Sequence, residues 1–118
     1  MKKKIAILGS TGSIGKTLIK MIMSKKKKFD VVLLTANKNY KLLLKQAKYL
    51  NVKNIIITNK RSYEILRTLT KNSKIKIYNN FEHLDKIFDK KIDYAMSSIT
   101  GIQGLEPTIN IIKYTKKI

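Results

Sequence analysis

The sequence predicts an α/β fold: a single domain built on a doubly wound parallel sheet, with helices on both faces. Three observations lead there. Short runs of branched apolar residues recur along the chain, as strands buried on both faces do. Between them lie segments with apolar residues at helical spacing, joined so tightly that only parallel crossovers fit. The first run ends in a turn carrying three glycines at the strand-to-helix junction. With 118 residues, 43% of them hydrophobic, the chain can build one domain with a real core but not two large ones.

Lys4-Ile5-Ala6-Ile7-Leu8 is the first strand. Gly9, Gly12 and Gly15 follow at intervals of three, one each for a tight turn, a close backbone approach to a ligand, and close packing of helix on strand. Ile14, Leu18, Ile19 and Ile22 set a helix over Ser13 to Ser24, ended by the Lys25–Lys28 run, whose charge suits the negative pole of the helix. Val31 to Ala36 is a second buried strand. Asn37-Lys38-Asn39 is the turn after it, with Asn39 as N-cap of a helix through Leu50.

Asn54 to Thr58 is the third strand, and Ser62 to Thr70 a helix with Ile65, Leu66 and Leu69 facing inward. Lys74 to Tyr78 alternates polar with apolar, as a strand nearer an edge does. After the Asn79-Asn80 turn, Phe81, Leu84, Ile87 and Phe88 mark a short helix bearing the sole histidine, His83, as a surface residue. Asp93 to Ser98 is the next strand. It runs into a second Gly-bearing turn and a last helix from Leu105 to Tyr114, with Pro107 in its first turn. Lys116-Lys117-Ile118 begins another strand.

The chain carries 26 Lys+Arg against 7 Asp+Glu, a formal charge of +19. Such an excess fits nucleic acid or an anionic surface. Here, however, the arginines are only Arg61 and Arg67, and the lysines are spread over every element of a sequence also enriched in Ile and Asn. That pattern is compositional drift, so specific nucleic-acid binding is not expected. The absence of cysteine excludes disulfides and thiolate chemistry and fits a reducing, cytoplasmic setting. No apolar run reaches the ~20 residues needed to span a membrane, and no targeting segment is expected ahead of the first strand.

A helix opening directly after a glycine turn points its unpaired N–H groups and positive pole into that turn, where a phosphate can sit. Gly9 to Gly15 is therefore a dinucleotide-binding turn of a Rossmann-like sheet, in a G-x-x-G-x-x-G form. Gly15-Lys16-Thr17 also matches the end of a triphosphate-binding loop, but Ser10 stands where that loop needs its first glycine. Asp93, the nearest candidate for a magnesium-binding Asp, opens its strand instead of closing it. The loops predicted at the carboxyl edge of the sheet are Gly9–Gly15, Asn37–Asn39 and Ser97–Gly104. An acid at the end of the second strand would select NAD; Asn37, Lys38 and Asn39 offer amides and a cation instead, which favours a 2′-phosphate and hence NADP(H).

Ile7-Leu8-Gly9-Ser10-Thr11-Gly12-Ser13-Ile14-Gly15 resembles the N-terminal signature of 1-deoxy-D-xylulose 5-phosphate reductoisomerases. The resemblance extends through Phe29 to Leu33, Lys38-Asn39, and Gly101-Ile102-Gln103-Gly104-Leu105-Glu106-Pro107-Thr108. It implies that Thr11, Gly12, Ser13 and Ile14 hold the pyrophosphate of NADPH. Asn37, Lys38 and Asn39 would hold the adenosine ribose and its 2′-phosphate. Asn37 stands where the family usually has Gly. The resemblance further implies a longer, homodimeric enzyme whose other domains bind magnesium or manganese and the phosphosugar. This 118-residue part, with no catalytic residue or metal ligand of its own, would then be inactive alone. Another NADP-dependent reductase or dehydrogenase domain, or a triphosphate-binding module, are the alternatives.

Overall fold

The computed structural model describes residues 2–25, 27–88, 91–97 and 115–117. Its strands are β1 (Lys3–Leu8), β2 (Phe29–Ala36), β3 (Asn54–Ile57), β4 (Lys76–Tyr78), β5 (Ile92–Ser97) and β6 (Thr115–Lys117). Its helices are α1 (Ser13–Ser24), α2 (Tyr40–Leu50), α3 (Lys60–Leu69) and α4 (Leu84–Ile87). The strands form one sheet in the order β4-β3-β2-β1-β5-β6, and every pairing is parallel. From β1 the chain steps outward to β4, then returns to the other side of β1. That reversal makes the β1/β5 junction the switch point, where ligands bind beyond the carboxyl ends of the strands.

Two apolar clusters cover the two faces of the sheet. Ile5, Ile7, Leu34, Ile55 and Ile57 meet Ile19 and Ile22 of α1, Leu43 and Ala47 of α2, and Leu66 of α3. Ala6, Leu8, Leu33 and Ile56 meet Leu84 of α4 together with Phe88, Ile92 and Ala95. The alternation of Ile5 and Ile7 with Ala6 and Leu8 is the period of a strand covered on both sides. In β2 the alternation breaks. Ile5 pairs with Val31, but Ala6 pairs with Leu33, so Val32 is inserted as a bulge. Val32 and Leu33 consequently pack on one face, while Val31, Leu34 and Ala36 pack on the other.

Most predicted elements stand where expected, α1 and the end of α2 to the residue. Three expectations need correction. The third helix starts at Lys60, two residues early, because Asn59 caps it by accepting from the Ser62 N–H at 3.0 Å. Leu69 in its last turn is 57% exposed rather than inward-facing. His83 is half-buried, its ring 5.8 Å from that of Tyr78. The strand expected at the C-terminal segment is present as β6, paired with β5. The Ser97–Gly104 turn, beyond Ser97 itself, and the helix from Leu105 to Tyr114 lie outside the described residues.

Candidate dinucleotide-binding site

Gly9 and Ser10 leave β1 in a tight turn. Gly9 has φ 75°, the left-handed region that glycine enters without steric cost. Its N–H donates to Thr35 Oγ1 at 2.9 Å, and the Ser10 N–H donates to the Thr35 carbonyl at 2.9 Å. Gln46 of α2 closes on the same residue from the other side. Ser10 Oγ donates to Gln46 Oε1 at 2.8 Å, and Gln46 Nε2 donates to the Ser10 carbonyl at 3.0 Å. Ser10, Thr35 and Gln46 are all buried, so these bonds form away from competing water.

The three glycines have unequal roles. A side chain on Gly15 would drive its Cβ into the Gly9 carbonyl oxygen and within 2.7 Å of the Ser10 Cα and carbonyl carbon. Gly15 is thus what lets α1 lie against the strand end. Gly12 has φ −75° and ψ 175°, extended backbone open to any residue, and a Cβ there would meet only the Gly9 oxygen at 3.9 Å. The expected close approach at Gly12 is accordingly not to the protein's own backbone. It leaves open space at the start of the helix.

Gly12 is the N-cap of α1, which has no side-chain cap and no acid in its first turn. The first N–H groups of a helix have no partner within it, and Ser13 and Ile14, which carry two of them, are exposed. Thr11 is half-buried beside them. An anion placed here meets backbone donors and the positive helix pole without displacing a side chain.

The second loop is braced by the start of α3. Asn37 Oδ1 accepts from Thr58 Oγ1 at 3.0 Å, and its carbonyl accepts from the Asn59 N–H at 2.9 Å. Asn37 needs no positive φ, since Asn51 is the single non-glycine residue in that region among the described residues. Ser62 Oγ lies 2.9 Å from the Lys38 carbonyl and 3.0 Å from Asn59 Oδ1, sharing its one proton. Asn39 Oδ1 accepts from the Leu42 N–H at 3.2 Å, so this residue is occupied in capping α2. The Lys38 side chain is exposed. Asp93 faces the opposite end of the sheet, where Oδ2 accepts from the Lys4 N–H at 2.8 Å.

Both loops are legible in the sequence, whereas Thr35, Gln46 and Ser62, which hold them, emerge only in the structure. A signal was present. Gln46 interrupts the Leu43-Ala47-Leu50 stripe of α2, and Ser62 lies one turn before Leu66 on α3. A polar residue at a core position requires a partner. Among the described residues, no group of three or more His, Cys, Asp or Glu could hold a metal ion. No helix there is long and apolar enough to cross a membrane.

The switch-point geometry, the uncapped glycine turn and the acid-free second loop define the class: a Rossmann-like dinucleotide-binding domain. Residues 5–118 match the family model for 1-deoxy-D-xylulose 5-phosphate reductoisomerase, and the chain belongs to that family. It is 56% identical to the 1-deoxy-D-xylulose 5-phosphate reductoisomerase of Pelagibacter ubique over 118 residues, covering 98% of this chain and 30% of that protein. The reductoisomerase of Zymomonas mobilis in complex with NADPH superposes with a TM-score of 0.85 at 28% identity, covering 99% of this chain and 32% of that one. A reductoisomerase structure with NADPH, fosmidomycin and magnesium gives 0.80 at 26% identity, covering 92% and 27%. The chain therefore spans about a third of the length of these relatives.

Proposed function

We propose that residues 1–118 are the NADPH-binding domain of a longer, cytoplasmic, homodimeric enzyme. That enzyme converts 1-deoxy-D-xylulose 5-phosphate to 2-C-methyl-D-erythritol 4-phosphate in non-mevalonate isoprenoid biosynthesis. The observation that carries the reading is the uncapped N-terminus of α1 at the switch-point edge, next to a loop with a lysine and no carboxylate.

Thr11, Ser13 and Ile14 present backbone donors to the pyrophosphate, and Gly12, whose N–H turns back to the Gly9 carbonyl at 3.4 Å, keeps that approach clear. Lys38 faces the 2′-phosphate with its charge, and Asn37 and Asn39 set the course of the loop around the ribose. Bound NADPH supplies the hydride, while these residues bind and orient it. A divalent ion, magnesium or manganese, and the phosphosugar belong to the other domains.

The test pairs two measurements. The 118-residue chain binds NADPH in an equilibrium titration. With 1-deoxy-D-xylulose 5-phosphate and magnesium or manganese it shows no turnover approaching ~1 per second, the low end for enzymes. Turnover by this chain alone would overturn the division of labour, and failure to bind NADPH would overturn the assignment of the site.

A further inference from the structure

Gln46 is not among the residues assigned to the cofactor, yet it is 4% exposed and spends both ends of its amide on one residue. That residue is Ser10, the last fixed point before the turn that presents Thr11, Gly12, Ser13 and Ile14. All three polar atoms of Ser10 are taken: the N–H by the Thr35 carbonyl, the carbonyl by Gln46 Nε2, and the hydroxyl by Gln46 Oε1. Rotation of the Ser10–Thr11 peptide would break the bond to Gln46 Nε2 and leave a buried carbonyl without that donor. The far end of the turn is held independently, by Gly15 against the backbone of Gly9 and Ser10. Between these two anchors the Gly12 N–H donates back to the Gly9 carbonyl at 3.4 Å, and the donors of Ser13 and Ile14 have little freedom.

Gln46 also belongs to α2, whose first turn is capped by Asn39 of the second loop. One rigid helix thus grips the pyrophosphate turn at its middle and carries the 2′-phosphate loop at its start.

Building on the NADPH reading above, we propose that Gln46 is a positioning residue for the dinucleotide. It holds the Ser10 carbonyl, and with it the pyrophosphate turn, in the orientation that receives the cofactor, at a fixed offset from the 2′-phosphate loop. The amide suits this task because it donates and accepts at once, which no carboxylate or apolar side chain of that size does at neutral pH.

The test compares three ligands on the full-length protein carrying this domain: NADPH, NADH and 2′-AMP. The first two need the pyrophosphate turn, whereas 2′-AMP needs only the Asn37–Asn39 loop. Gln46→Met keeps the length and removes both hydrogen bonds. NADPH and NADH should each bind about tenfold or more weakly, with 2′-AMP unchanged within a factor of two. A side chain that merely held the fold together would weaken all three alike. Where the Met variant does not fold, Gln46→Glu keeps the shape and the acceptor facing Ser10 Oγ, and carries the same comparison. Unchanged dinucleotide affinity in a folded variant, or equal loss for all three ligands, overturns the role of Gln46. Absence of NADPH binding by the unaltered protein overturns instead the reading on which it rests.

Discussion

Gly15 lies so close to the backbone of Ser10 that a Cβ would stand 2.7 Å from the Ser10 Cα. Both sides of this contact rest on main chain, so neither can yield cheaply. Gly15→Ala should therefore destabilise the domain by ~2–3 kcal/mol or more through overpacking, read as a lowered urea midpoint. An unchanged midpoint would mean that α1 can shift outward at no cost.

Gly12→Ala provides the contrast. Its extended φ and the 3.9 Å clearance leave room for the methyl group, so the folding cost should stay below ~1 kcal/mol, the scale of an N-cap change. The same methyl group intrudes where the pyrophosphate meets the helix, and NADPH affinity should fall at least tenfold. Unaltered NADPH titration in the folded variant would make the turn purely structural.

Cofactor choice rests on the second loop. Lys38 is exposed, so solvent screening limits its attraction for a 2′-phosphate to ~1–2 kcal/mol, about 5- to 30-fold. Lys38→Ala should remove most of the preference for NADPH over NADH and leave NADH binding nearly unchanged. The preference should also shrink as salt is raised. Asn37→Asp should go further, because a carboxylate there repels the phosphate and can accept from a free 2′-hydroxyl. Equal weakening of both cofactors by Lys38→Ala would reduce the lysine to a general positive field.

Ser62 supports that loop from beneath through the Lys38 carbonyl. Ser62→Ala should cost ~0.5–1.5 kcal/mol of stability, one hydrogen bond's worth. It should weaken NADPH severalfold while sparing NADH. A change confined to stability would show that the brace does not reach the side chain of Lys38.

Asn51 closes α2 at φ 56° and ψ 40°, with its N–H on the Ala47 and Lys48 carbonyls. Glycine takes this conformation more readily than any other residue. Asn51→Gly should raise the melting temperature slightly, while Asn51→Ala should cost ~1 kcal/mol; the reverse order in thermal melts would contradict the left-handed cap.

Periodicity and turn chemistry are local properties, and what they govern was legible in the sequence. The strand runs, the start of α1 at Ser13 and the Asn39 cap all follow from residues within a few positions of one another. So do the two loops at the sheet edge, because glycine turns and the lack of an acid are written in adjacent residues. The cap of α3 is local as well, since Asn59 stands just ahead of the helix and accepts from the Ser62 N–H.

Tertiary structure decided what depends on distant partners. The bulge at Val32 reflects the register against β1, which no strand carries by itself. The return of the chain across β1 to place β5 is a property of the whole sheet. Gly15 rather than Gly12 proved to be the sterically demanding glycine, because only the docked helix brings its Cα against Gly9 and Ser10. Gln46, 36 positions from Ser10, became the second wall of the turn for the same reason. Its amide has no value in an isolated helix, and acquires one only when folding buries it against a carbonyl and a hydroxyl that water can no longer reach.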